Sequence, residues 1–336
     1  MKSGHNMLDY TIISPKRSSI WGEADTLLMD QRTTEELITI IGQKQCANIV
    51  VEAIPSNTKG DGEPAVSFIK AALINNLHVV SANKSPLAFC SSENKETYWE
   101  LQSLAQRNNL MYRHESAVMD GVPIFSLWQY TMPHAKLISI RGCLNSTTTM
   151  ILTRMEGNLH DISSDGESFQ EALDAAKNMG IVEEDESLDV DGYDAAVKLR
   201  ALMVVLSHSD KVRIPTMDEI ARDSIRDITR EDIQQAYAND RKKYRLVATA
   251  NLVHDDENTE ESDTNAKPST AKRWQASVKL KLINPSDPLY NLTGTDASVQ
   301  FCTDVLGPIT MTSSNPTLVD TAYGLFSDIV HVANEA

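Results

Sequence analysis

Apolar positions follow two regimes along the chain. Up to about residue 127, short apolar runs alternate with amphipathic stretches. Residues 8–13 (LDYTII) form a β-branched run ended by Ser14-Pro15, which predicts a strand. Residues 34–41 predict a helix with Thr33 or Thr34 as its cap and Leu37, Ile38, Ile40 and Ile41 apolar. Residues 48–54 (NIVVEAI) predict a strand buried on both faces, turned by Pro55-Ser56-Asn57. Residues 64–74 predict a helix, with Pro64 in its first turn and Phe68, Ile69, Ala72 and Leu73 as its stripe. Strands are expected over 78–81 and 110–114, with a helix over 98–107 between them. Such alternation implies a parallel sheet with right-handed crossovers.

Beyond Pro123 the pattern changes. Residues 137–144 are β-rich, while 148–155 and 168–179 read as helices. Further helices are expected over 218–221 and 230–238, and strands over 246–252 and 274–283. Between those strands, 255–267 (DDENTEESDTNAK) is acidic and poor in apolar residues, so disorder is expected there. Residues 317–333 close the chain as an apolar helix through Ala322, Leu325, Phe326, Ile329 and Val330.

One stretch organises the rest: 180–206, GIVEEDESLDVDGYDAAVKLRALMVVL. It begins acidic and becomes apolar on nearly every face, the pattern of a buried helix. Asp191-Gly192 marks its start, with Asp191 suited to cap. Lys198 follows Asp194 by four residues and shares its face. Two readings stand. An exposed Asp194–Lys198 pair would contribute a few tenths of a kcal/mol, roughly. A buried lysine needs carboxylate partners, because an unpaired buried charge is very costly. Carboxylates raise a lysine's pKa and burial lowers it, which leaves the sign open.

With 336 residues and 41% hydrophobic content, the chain has room for two domains and a sizeable core. Its net charge of −16 argues against nucleic acid or an anionic membrane as partner. No apolar run approaches the ~20 residues of a membrane span, and the N-terminus shows no secretory apolar region. Cys46, Cys90, Cys143 and Cys302 are scattered, without metal-ligand spacing, and read as reduced, mostly buried thiols of a cytoplasmic protein; no metal site is expected.

Five motifs carry a resemblance. Glu183, Asp185, Asp189, Asp191-Gly192, Asp194-Ala195-Ala196 and Lys198-Leu199 follow one another in the order of a catalytic signature. Ser81-Ala82-Asn83-Lys84-Ser85-Pro86-Leu87-Ala88 is similar to T-A-N-K-x-P-L-A, just after a strand, where open α/β sheets bind ligands. Residues 50–57 (VVEAIPSN) form a strand and turn. In 114–125 (HESAVMDGVPIF), Glu115, Val118, Gly121 and Pro123 match E-x-x-V-x-x-G-x-P-I, while Met119 and Asp120 stand where small residues are common. Residues 142–152 (GCLNSTTTMIL) resemble G-I-L-N-G-T-T-N-Y-I-L, with Ser146 in place of a glycine. Each motif also has a plainer reading as a strand end, a loop or a Thr-capped helix. Together they resemble homoserine dehydrogenases.

The resemblance covers about 49–329. It implies an α/β fold: an incomplete Rossmann-type parallel sheet domain plus an α+β catalytic and dimerisation domain with a mixed sheet. The first would span 8–127, with 317–334 packing back on it, and the second 128–316. It also implies NADP- or NAD-dependent interconversion of L-homoserine and L-aspartate 4-semialdehyde, with an amino-acid substrate, no nucleic-acid or membrane partner, and a homodimer. Lys198 would be catalytic with Lys84 in support, and Asp194 and Asp189 would orient Lys198. Glu183, Asn145 and Thr147 would bind substrate, Glu183 at its ammonium. Ala53, Pro55, Asn57, Asn83, Lys84 and Gly121 would meet the cofactor, and Ser14, Lys16 and Arg17 a 2′-phosphate. The family's G-x-G-x-V-G turn is not found: Met1 stands near the expected second strand. The place of a later G-P-G-A-G-like loop reads Thr312-Ser313-Ser314-Asn315-Pro316. Weak dinucleotide binding is therefore expected. Two rivals stand beside this reading: a cofactor-deficient regulatory homologue, and a dehydrogenase of a related amino acid.

Overall fold

The computed structural model describes residues 33–43, 48–57, 61–89, 96–159, 166–182, 185–207, 212–254 and 272–335. The predicted strand over 8–13 and the acidic stretch 255–267 lie outside these residues, as do Ser14, Lys16, Arg17, Cys46, Cys90 and Glu183.

In the first part, α1 (Thr34–Gln43) precedes β1 (Ile49–Glu52), α2 (Ala65–Ile74), β2 (His78–Ser81), α3 (Ser85–Ala88), α4 (Thr97–Arg107) and β3 (Tyr112–Arg113). The three strands pair in parallel in the order β1-β2-β3, with Val50 opposite Val79 and Val80 opposite Arg113. Thr33 Oγ1 accepts from Glu36 N, and the Thr33 N–H donates to the Glu36 carboxylate, so α1 starts on a reciprocal cap. The apolar stripe of α2 is buried, and so are Val79 and Val80 of β2. Only β1 departs from the expected double burial. Val51 is 46% exposed, because β1 has a described neighbour on one side alone.

The second part begins with α5 (Ile124–Ser126), which runs into a π turn over Leu127–Thr131. Then come β4 (Leu137–Cys143), α6 (Ser146–Glu156), α7 (Phe169–Asn178), α8 (Ser187–Val190), α9 (Tyr193–Leu206), β5 (Val212–Arg213), β6 (Ala221–Arg222) and α10 (Arg230–Asp240). The chain closes with β7 (Lys243–His254), β8 (Lys272–Ile283), β9 (Ala297–Thr303), β10 (Ile309–Ser313) and α11 (Leu318–Glu335). These strands form a seven-stranded mixed sheet in the order β10-β9-β4-β7-β8-β5, with β6 also on β8. Pairing is antiparallel except where β5 and β6 meet β8. The fold is thus α/β, a small, partial Rossmann-like parallel sheet joined to a larger mixed one.

The helix predicted over 218–221 does not form. Met217–Glu219 make one tight turn with Thr216 and Glu219 as a reciprocal cap, and Ala221–Arg222 then extend along Ser277 and Val278. Ile220 explains the change: it is buried at the switch, while a helix of Asp218 and Glu219 would have no apolar face to bury.

Helix α9 is the axis of the core. From Asp194 to Leu206 every residue except Lys198 is buried. Each large apolar side chain contributes about 1.5–3 kcal/mol on burial. The cap is Gly192 rather than Asp191. Gly192 is left-handed at φ +72, and a Cβ there would stand 3.1 Å from Val278 Cγ1. The Asp191 carboxylate accepts from Ser224 Oγ and Arg226 Nε instead. Among the described residues no helix is long and apolar enough to cross a membrane.

Finally, α11 returns to the first sheet. Asp328 accepts from Arg113 Nε at 2.7 Å and from Glu115 N at 2.8 Å. Gly121 and Gly324 let the backbones cross: a Cβ on Gly121 would collide with the Asp320 carbonyl oxygen, and one on Gly324 with Ser116 Oγ.

Candidate active site

The start of α9 at Gly192 sets the site. It puts Asp194 in the first turn and Lys198 one turn later on the same face. Lys198 Nζ lies 2.8 Å from Asp194 Oδ2 and donates to the Leu144 carbonyl oxygen at 3.1 Å. From the turn between β2 and α3, Lys84 Nζ reaches Asp194 Oδ1 at 2.9 Å. Asp194 therefore receives an ammonium on each oxygen.

Asn145 fixes the carboxylates from behind. Its Nδ2 donates to Asp189 Oδ1 at 2.7 Å and to Asp194 Oδ2 at 2.9 Å. Its Oδ1 accepts from Thr148 N at 2.7 Å and caps α6. Ionised carboxylates only accept, which settles the amide's orientation. Thr147 Oγ1 donates to Ile181 O at 2.9 Å and ties α6 to the stretch preceding α8.

Burial alone would push the Asp194 carboxyl up, but the Lys198 and Lys84 ammonium groups outweigh it and hold the group well below the usual carboxylate range. For Lys198, burial pulls down, and Asp194 overcomes it with help from Asp120 and Asp189, so its pKa rises. Lys198 is an ammonium at neutral pH. The exposed pair of the plainer reading is not what forms. Removing one partner of a buried pair costs about 3–5 kcal/mol, against tenths for a surface pair.

A cleft of about 210 Å³ opens beside the lysines, lined among others by Ser56, Ala82, Ser116, Asp120 and Ser146. It lies at the carboxyl ends of β1 and β2, where open α/β sheets take ligands. It is smaller than the roughly 300–1,000 Å³ of drug-sized pockets and suits one small metabolite. A wider depression of about 390 Å³ lies by Ser187, Asp191, Tyr193 and Arg222. Its charged groups are engaged locally, Arg222 with the Met217 and Ile220 carbonyls and Asp191 with Ser224 and Arg226.

The structure thus brings together Lys84, Lys198, Asp194, Asp189 and Asn145. Asn145 and Thr147 hold the scaffold with the groups expected to bind substrate. Asn83 is likewise a brace: it accepts from Ser56 Oγ and Ser85 N and donates to Glu52 Oε1. Ala53, Pro55 and Asn57 follow β1 and are exposed, with Asn57 Nδ2 donating to Glu63 O. Gly121 has a packing reason in its crossing with α11. Met119 and Asp120 both adopt left-handed backbone at φ +59, which small residues would hold with less strain. Met119 lines the cleft and is 4% exposed.

Sequence reasoning missed three groups. Glu52 is a buried carboxyl, raised by burial, that accepts from Ser81 Oγ, Ile54 N and Asn83. A carboxylate at the end of an apolar strand was the available signal. Arg200, two residues past Lys198, is buried and paired with Glu96 and the Pro215 carbonyl. The Leu144 carbonyl that receives Lys198 is backbone and leaves no side-chain signal.

The family model that matches is that of homoserine dehydrogenase, over residues 123–330. The chain is 30% identical over 294 residues to the NAD(+)-dependent homoserine dehydrogenase of Pseudomonas canavaninivorans, covering 87% of this chain and 73% of that one. It is 30% identical over 289 residues to a homoserine dehydrogenase of Methanocaldococcus jannaschii, covering 86% and 73%. Its fold is similar to that of a hyperthermophilic archaeal homoserine dehydrogenase in complex with NADPH, with a TM-score of 0.63, 26% identity and coverage of 91% and 76%.

Proposed function

The chain belongs to the homoserine dehydrogenase family, and from that premise we propose that it interconverts L-homoserine and L-aspartate 4-semialdehyde with NAD or NADP. The observation that carries the reading is a buried carboxylate, Asp194, shared by two lysines beside a cleft of metabolite size. In aldehyde reduction the Lys198 ammonium stabilises the oxyanion that forms and gives it a proton. In alcohol oxidation Lys198 first gives up its proton to solvent, and the neutral amine then takes the proton of the hydroxyl. Lys84 supports the charge from the other side of Asp194. Asp189 and Asn145 keep Asp194 in place.

A nicotinamide dinucleotide, when bound, supplies the hydride acceptor or donor. The strand ends fit its flat end: Ala53 and Pro55 are exposed there, and Ala82 and Ala117 are small where they line the cleft. Residues 8–127 with 317–334 form the dinucleotide-binding unit in this reading, supported by the return of α11 to β3, and 128–316 the catalytic and dimerisation unit. In this reading the chain acts as a homodimer in the cytoplasm.

The test follows reduced nicotinamide absorbance with L-homoserine and each oxidised cofactor. Lys198→Ala should cut kcat about 10²-fold or more and keep a cooperative melt. Absence of turnover with both cofactors, or full activity in the variant, overturns the reading.

A further inference from the structure

The turn after β3 is fixed from several sides. Glu115 accepts from the Phe125 and Ser126 N–H groups at 2.8 Å each, and Ser116 Oγ donates to Thr321 O at 2.7 Å. Within this frame Met119 and Asp120 sit in left-handed backbone. Asp tolerates that conformation better than most residues, though strain remains, and such strain gathers where side chains are aimed at ligands. Among the described residues that line the cleft, Asp120 carries the only carboxylate; Asp194 faces the lysines from outside that lining. Asp120 Oδ1 accepts from Thr321 Oγ1 at 2.9 Å. Among the described residues its Oδ2 accepts no hydrogen bond, although a carboxylate has about four acceptor positions.

We propose that Asp120 is a substrate-binding residue whose free carboxylate oxygen receives the α-ammonium of an amino-acid substrate while the substrate's hydroxyl or aldehyde faces Lys198. The inference rests on the amino-acid dehydrogenase reading above and adds a second carboxylate for the amine, besides the Glu183 that the resemblance implies. The lining of the cleft carries two ammonium groups and a carboxylate, charges of both signs as a zwitterion requires. Asp120 and Lys198 line the same cleft, which puts both within reach of one small molecule. A second role is purely structural, since the Thr321 bond latches α11 to the turn. A latch uses one oxygen and gives no reason for a carboxylate at a left-handed position facing a cleft.

The experiment measures binding by calorimetry for L-homoserine and for 4-hydroxybutanoate, which lacks the amine, with oxidised and reduced cofactor titrated in parallel. Asp120→Asn keeps the shape and suits left-handed backbone. Wild type should prefer homoserine. Asp120→Asn should weaken homoserine roughly ten- to hundredfold, the worth of a charge-assisted hydrogen bond, and leave 4-hydroxybutanoate unchanged. Thr321→Val removes the latch and should keep the preference. Equal weakening of both ligands by Asp120→Asn, an unchanged preference, or a wild type that binds no homoserine overturns the proposal. So does a loss confined to the oxidised cofactor, which would set the carboxylate against the cationic nicotinamide ring. Homoserine bound with the expected preference but never turned over would refute the dehydrogenase reading and leave Asp120 standing. Normal turnover with the same KM in wild type and Asp120→Asn would do the reverse.

Discussion

Lys84 and Lys198 hold opposite oxygens of one buried carboxylate, at 2.9 Å on Asp194 Oδ1 and 2.8 Å on Oδ2. Neither lysine alone defines the site, because both cations meet on Asp194 and Asp194 keeps one partner if the other is lost. Asp194→Ala would leave two ammonium groups facing each other. It is expected to cost about 3–5 kcal/mol, more than Lys84→Ala or Lys198→Ala measured separately. Denaturant melts of the three variants check this, and a smaller loss for Asp194→Ala than for either lysine variant would contradict it.

His114 makes the fold sensitive to acid. Buried and ringed by Tyr98, Tyr112 and Phe125, it has its pKa pulled down from 6.5 to about 3, first by burial and then by Arg113. In the folded chain it stays neutral, while the unfolded chain takes up a proton below 6.5. Stability is therefore full above pH 6.5 and falls toward pH 3, by up to ~1.4 kcal/mol per pH unit. His114→Phe removes this slope and fits the aromatic cluster. From pH 7 to pH 5 wild type should lose about 2 kcal/mol more than the variant; parallel curves would disprove the assignment.

The crossing of Gly121 and Gly324 is a packing requirement. Gly121→Ala sets a methyl against the Asp320 carbonyl oxygen, which is backbone and cannot swing aside. A loss of about 1–3 kcal/mol is expected, with faster hydrogen exchange at Ser116 and Thr321, where α11 rests on the turn. Unchanged exchange and an unchanged melting temperature would show that α11 does not depend on the crossing.

Much of this was legible along the chain because burial imposes a period. The runs over β2, α2, α7 and α9 are apolar at spacings that only one element type can bury, and their bounds fall within a residue or two of expectation. The Lys198–Asp194 spacing showed a shared face. The second lysine's supporting role came from resemblance, but its place on the same carboxylate did not show, since Lys84 belongs to a distant turn. What stayed hidden depends on tertiary neighbours. Met217–Glu219 end after one turn because Ile220 is drawn into the core. Asn145 and Asn83 spend their amides on structure, which only the positions of Asp189, Asp194 and Glu52 reveal. Arg200 lies in an apolar helix and its partner Glu96 belongs to another part of the chain.

The clamp of Asp328 on Arg113 and Glu115 has a consequence during synthesis. The two halves of the Arg113–Asp328 bond are separated by 215 residues. At about 5–20 residues per second the ribosome takes roughly 10–40 s to span them. For that interval β3 has emerged without the acceptor for its guanidinium, and the turn carrying Asp120 lacks the helix it rests on. The first sheet to be translated is thus among the last parts to be completed. A nascent chain stalled before Asp328 would expose this surface to chaperones and proteases, even with the mixed sheet already paired.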